Sequence, residues 1–234
     1  MVPQLLAAVG RGQMKEGQKT WLDLLVPLVG ELQDKLRNED PAEVAFRSGA
    51  DFIRADDGRA SVSLHLWGRP YTVDWPAVQV RERDSGQVCR ADVSSLILFY
   101  LDAADGAPVV GCWVSFRELP DGLFYHQAFQ GYTGKRLARH FGNNLAAFQR
   151  AARAAGGFGL SLGDASSSFR ALPRVELAAV YWLGDEDIPA NATILFDASA
   201  AHYMSADGLA HLGSQLTGRL IALSPAGGDE RNPR

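Results

Sequence analysis

Ala60-Ser61-Val62-Ser63-Leu64-His65-Leu66 is followed by Trp67-Gly68 and then by Arg69-Pro70-Tyr71-Thr72-Val73-Asp74-Trp75. Val62, Leu64 and Leu66 alternate with Ser61, Ser63 and His65, and Tyr71, Val73 and Trp75 follow after Gly68-Arg69-Pro70. Two runs of period two around a glycine turn read as a β-hairpin. A second strand pair, Val175 to Leu183 and Ala192 to Phe196, is joined by the acidic turn Gly184-Asp185-Glu186-Asp187. Tight turns join antiparallel neighbours and cannot join parallel ones. The expected fold class is therefore α+β: a single domain with a mostly antiparallel sheet covered by helices, preceded by a helical N-terminal segment.

Helical periods flank these strands. Trp21, Leu25, Leu28, Leu32 and Leu36 recur at three- and four-residue steps, with Pro27 expected to kink the helix. Asp40-Pro41-Ala42-Glu43 supplies a cap, a proline at the first helical position and an acid at the third, and Gly49 a left-handed stop. Leu96 to Leu101 is apolar all round and is assigned to a helix on the strength of Asp92 and Ser94 as caps. One helix is expected over 133 to 154, and a last one from Ser205 with Leu209, Leu212, Leu216, Leu220 and Leu223 inward. Short strands are expected at 78 to 81 and 111 to 116, and Ser166 to Ser168 read as a loop. The domain expectation is a lead-in at 1–20, one α+β domain at 21–224 and a disordered tail at 225–234.

The 234 residues, with 47% apolar and 21% charged side chains, suffice for a core without staples, and two cysteines exclude a disulfide framework. A net charge of -4 offers no basic footprint for nucleic acid. Leu5-Leu6-Ala7-Ala8-Val9 lacks a basic region before it and is too short for a signal peptide. Trp21 to Val29 is broken by Asp23 and Pro27, so no membrane segment is expected and the expected compartment is cytoplasmic.

Several patterns bear on chemistry. Gly159-Leu160-Ser161-Leu162-Gly163 fits G-x-S-x-G, but a helix and Gly156-Gly157 precede it where a nucleophile elbow needs a strand before and a helix after. Gly134-Lys135-Arg136 resembles the end of a P-loop, yet Phe129 stands at the first glycine position and Arg136 replaces the magnesium-binding hydroxyl. The five histidines form no zinc spacing, so no metal site is expected. His211 and His65 are expected at the surface. Asp185, Glu186 and Asp187 read as a solvated turn; Lys135, Arg139, Arg150 and Arg153 form a basic face that could contact an anionic ligand or an acidic partner, against the plain reading of a charged stripe such as any surface helix shows. Cys89 and Cys112 read as small buried hydrophobes.

Leu98-Phe99-Tyr100-Leu101, Gly111-Cys112-Trp113-Val114-Ser115-Phe116-Arg117-Glu118-Leu119 and the block from Leu172-Pro173-Arg174 through Trp182-Leu183-Gly184-Asp185-Glu186-Asp187 to Ile194-Leu195-Phe196-Asp197 carry a resemblance. Together with Tyr203 and the closing helix they resemble, over roughly residues 45 to 223, an uncharacterised bacterial family. Some members of that family carry an extra four-cysteine iron-sulfur domain like that of corrinoid iron-sulfur proteins. The resemblance implies a non-catalytic ligand-binding or accessory module in anaerobic redox or corrinoid/iron-sulfur metabolism. With only Cys89 and Cys112, a four-thiolate cluster would belong to a redox or iron-sulfur partner protein. Two other classes stay open: a hydrolase using Ser161 or a carboxylate pair, and a protein-interaction or oligomerisation domain using Trp67, Trp75 or Tyr132. The sequence assigns no cofactor and no oligomeric state.

A ligand site is expected at the end of strand 192 to 196, where Asp197, His202 and Tyr203 place an acceptor, an imidazole and a phenol within seven residues, just before a helix. The competing reading gives Asp197 a cap on the Ala198 to Ala201 turn, packs Tyr203 on the sheet and turns His202 to water. His126, between apolar and polar surroundings, is the fourth candidate.

Overall fold

The computed structural model describes residues 21–56 and 58–224. The lead-in expected at 1–20 and the tail at 225–234 lie outside the described residues. The class is the expected one, an α+β fold with two antiparallel sheets. The first sheet is β1 (Asp51–Arg54), β2 (Ala60–Leu66), β3 (Arg69–Trp75) and β4 (Gln79–Glu82), in that order. The second contains β5 (Trp113–Ser115), β6 (Phe158–Leu160), β7 (Ala165–Leu172), β8 (Val175–Trp182) and β9 (Asn191–Asp197), in the order β5-β9-β8-β7-β6. The chain divides into two compact units. One holds the described residues up to Cys112 with Arg170–Glu176 and Asp197–His211; the other holds Trp113–Phe169, Leu177–Phe196 and the chain from Leu212 onward.

In the first unit the deciding hairpin forms as its alternation dictates. β2 and β3 run in register from Ala60 opposite Trp75 to Leu66 opposite Arg69. Trp67 and Gly68, between them, both have positive φ, as a type I′ turn requires. Val62, Leu64, Leu66, Tyr71, Val73 and Trp75 are buried. The burial of Trp75 corrects its expected role as an exposed aromatic. Helices α1 (Trp21–Leu36) and α3 (Ala91–Ala103) pack on each other, and α2 (Pro41–Ser48) lies on β1 and β2. Asp40 accepts the Ala42 N–H and Gly49 closes α2 at φ 67°, as expected. The expected caps of α3 are wrong: Arg90 stands at the N-cap without a side-chain bond, Asp92 falls in the first turn, and Ser94 lies inside the helix, where it is buried. β1 carries no alternation of buried and exposed residues, because all four are exposed, so no period marked it.

In the second unit the helix expected over 133 to 154 is two helices, α5 (Gly134–Phe141) and α6 (Leu145–Ala154), preceded by α4 (His126–Tyr132). Gly142, at φ 52°, ends α5, and the Asn144 side chain accepts the Ala147 N–H to start α6. The strand expected at 111 to 116 shrinks to β5, because Ser115 and Glu118 form a capping box that turns the chain into a 3-10 helix at Phe116. The serine loop expected at 166 to 168 is part of β7, paired with β6 from Phe158 opposite Ser168 to Leu160 opposite Ser166. Phe116, Phe129 and Phe196 form an aromatic core with centroids 4.2 Å (Phe116 to Phe129) and 5.8 Å (Phe129 to Phe196) apart. The last helix, α7 (Ala206–Ala222), belongs to the first unit up to His211 and to the second from Leu212, and it buries Leu209, Leu212, Leu216 and Leu220. Leu223 lies beyond its end and is exposed, a correction to the expected stripe. Among the described residues no helix is long and apolar enough to cross a membrane.

Candidate functional site

β9 ends at Asp197, and the chain turns at once into a 3-10 helix, Ala198–His202, with the Asp197 side chain as its cap. The carboxylate is fully buried. Its Oδ1 accepts the N–H of Ser199 at 3.0 Å, the hydroxyl of Ser199 at 2.5 Å and the N–H of Val110 at 3.2 Å, and its Oδ2 accepts the N–H of Gly111 at 2.6 Å. A buried carboxylate with that many donors is satisfied where it stands. It anchors residues 110 and 111 to the end of the strand, which makes its cap role part of a larger tie.

Tyr203 is also fully buried. Its hydroxyl donates to the carbonyl of Ala107, and its ring stacks on Tyr100 at a centroid distance of 5.6 Å. Tyr100 donates to the Ser48 carbonyl and accepts the Arg174 N–H at 3.1 Å. Burial pushes both phenols above their ordinary pKa, the more so for Tyr100. The Arg174 guanidinium donates to the carbonyls of Gly106 and Ala107 at 2.9 and 3.3 Å. His202 is half-exposed, with Nδ1 2.6 Å from Asp105 Oδ2. The carboxylate can only accept, so Nδ1 carries the proton. That bond, with one from the Ala107 N–H, holds the Asp105 carboxyl below its ordinary pKa.

Asp197, His202 and Tyr203 are thus brought together, and what they share is the segment from Asp105 to Gly111. The arrangement is a clasp on that segment. His126 lies in the second unit, with Nδ1 2.7 Å from the Leu123 carbonyl. Ser161 is exposed in the turn between antiparallel β6 and β7, so the strand-then-helix setting of a nucleophile elbow is not formed there. Cys112 is exposed and Cys89 half-buried, which corrects their expected burial. His211 is half-buried rather than exposed, and that burial lowers its imidazole pKa. Among the described residues no three His, Cys, Asp or Glu side chains gather as metal ligands would.

Sequence reasoning missed an open cleft of about 450 Å³ in the first unit. Gly49, Asp51, Ser63, Leu64, His65, Gly68, Arg170, Leu172 and Pro173 line it. The volume lies in the range of small-molecule sites, and the lining is mostly polar, with Asp51, Ser63, His65 and Arg170 beside Pro173 and the glycines. Asp51 and Ser63 are register partners on β1 and β2, and His65 follows two residues along β2. These three do not form a nucleophile relay. The Ser63 hydroxyl is buried and accepts from Arg83 Nη1 at 3.4 Å. Arg170 donates through Nε and Nη2 to Glu176 Oε1 at 3.0 and 2.8 Å, which sets the direction of its guanidinium at the cleft wall. No local sequence signal could mark a site drawn from three separate stretches of chain, 49–51, 63–68 and 170–173.

The sequence profile of a family described as a domain of unknown function (DUF3786) matches residues 40–219. The match covers more than half of the chain, which therefore belongs to that family. No curated protein and no solved structure matches it.

Proposed function

We propose that this member of the DUF3786 family is a non-catalytic ligand-binding module, with the cleft beside β2 as its binding site, acting as an accessory protein to anaerobic redox or corrinoid/iron-sulfur metabolism. The cleft carries this reading. It combines ligand-site size with a serine whose hydroxyl is buried and bonded to Arg83 instead of to His65. The clasp also supports it, because the Asp197 carboxylate is fully buried and its bonds run to backbone and serine donors of the fold.

The redox link rests on the family resemblance of the sequence. The chain's own residues do not fit a four-thiolate cluster, because it has two cysteines. The cluster or corrinoid then belongs to the partner, and this chain contributes recognition. Protein purified without oxygen, alone and after mixing with extract from an anaerobic host, tests this by absorption spectroscopy. A tetrapyrrole or iron-sulfur chromophore that co-elutes with the chain, and is lost from a His65→Ala/Arg170→Ala variant, is the expected result. A colourless eluate from both preparations overturns the redox assignment.

A further inference from the structure

The second unit carries two exposed surfaces of opposite charge that meet at one residue. Lys135, Arg136 and Arg139 on α5 and Arg150 and Arg153 on α6 are all exposed. Asp185, Glu186 and Asp187 are exposed in the β8–β9 turn. Among the described residues none of these eight charges forms an ion pair. Residues 154–169 and 177–196 contain no Lys, Arg or His, so the strand segments of this unit carry no cation beside the acidic turn. Asn143, between α5 and α6, donates to the Gly184 carbonyl at 3.1 Å and accepts the Gly184 N–H at 2.8 Å, so the basic helices and the acidic turn adjoin. The same turn presents apolar surface: Ile188 is 65% exposed, Leu183 41% and Trp182 37%. The N–H groups of Ile188 and Asp187 bond the Asp185 carboxylate and hold its pKa below the ordinary range.

We propose that this face joins two copies of the chain about a two-fold axis, the acidic turn and Ile188 of each copy lying on α5 and α6 of the other. Both halves of the complementary pair are present on one unit, side by side, and a two-fold axis makes such a contact reciprocal. Five cations on two short helices repel one another, and the partner's carboxylates relieve that repulsion. Exposed ion pairs contribute little affinity singly, so Ile188, Leu183 and Trp182 supply the buried area while the charges set orientation and rate.

Sedimentation velocity of the full chain at low and high salt tests this. A dimer at low salt that dissociates as salt rises is expected, because exposed pairs are screened. Glu186→Lys/Asp187→Lys and Arg139→Glu/Arg150→Glu should each be monomeric alone, and an equimolar mixture of the two should recover the dimer, since every reversed contact then meets its opposite. If a reversed variant does not fold, Glu186→Gln/Asp187→Asn and Ile188→Ser replace it, each expected to weaken the dimer at least tenfold. A chain that stays monomeric at low salt and high concentration overturns the proposal, as does a dimer that survives the reversals.

Discussion

The carboxylate of Asp197 accepts the N–H of Gly111 at 2.6 Å across 86 residues of chain. With Val110 and Ser199 it ties the segment after α3 to the end of β9. Replacing Asp197 with Asn puts an amide NH2 against one of those donors and removes the charge from the rest. The expected loss is about 2–3 kcal/mol of stability in chemical denaturation, with cleft binding retained. Equal stability in the variant would contradict the clasp.

His202→Ala should cost far less. The His202 to Asp105 pair is half-exposed on both sides, and exposed pairs contribute roughly 1 kcal/mol or less. A denaturation midpoint for His202→Ala lying closer to the wild type than to Asp197→Asn checks this ordering.

Alkaline pH tests the buried phenols. Tyr100 and Tyr203 hold their protons above the ordinary phenol value of 10.0 in the folded state. Above that pH the unfolded chain gives up phenol protons that the folded chain keeps, so stability falls as pH rises. Phenolate absorbance should therefore appear together with unfolding, and Tyr203→Phe, at about 1 kcal/mol lower stability from its lost bond to Ala107, should flatten the decline. Phenolate formation by every tyrosine well below the unfolding transition would contradict their burial.

His211 gives the opposite slope at the acid side. Burial lowers its imidazole pKa below 6.5 in the folded state. As pH falls below 6.5 the unfolded chain binds a proton that the folded chain refuses, and stability declines until the lowered folded value is passed. His211→Gln should remove that part of the decline, measured by thermal midpoints across the acid range.

Gly49 is tied to Arg174 by space. At φ 67° a side chain there is strained, and its Cβ would fall 2.7 Å from Arg174 Nε. Gly49→Ala should lower stability by at least about 1 kcal/mol and loosen the Arg174 bonds to Gly106 and Ala107, seen as faster amide exchange in that loop.

Where the sequence carried local chemistry, the fold was legible. The alternation from Val62 to Trp75 fixed a hairpin, and Asp40-Pro41 with Gly49 fixed both ends of α2. Ser166 to Ser168 hid β7, because serine competes for backbone bonds and has little strand preference, while tertiary pairing with β6 decides the outcome. The break at Gly142 to Asn144 lay inside a continuous apolar stripe, which outweighed the glycine and the cap. At the candidate site, Asp197, His202 and Tyr203 were visible as neighbours, but Asp105, Ala107, Gly111 and Arg174 come from distant chain, and it is these that turn the group into a clasp. The cleft had no local signal for the same reason.

Amide chemical-shift mapping of the full chain against a panel of small probes that includes corrinoids, carboxylates and phosphates decides whether the cleft beside β2 binds a ligand. Saturable shifts are expected at Gly49, Asp51, Ser63, His65, Gly68 and Arg170, lost in the His65→Ala/Arg170→Ala variant and kept in His202→Ala. Shifts confined to residues 197–203 and 105–111, or none at the cleft with any probe, would contradict the binding role of the cleft.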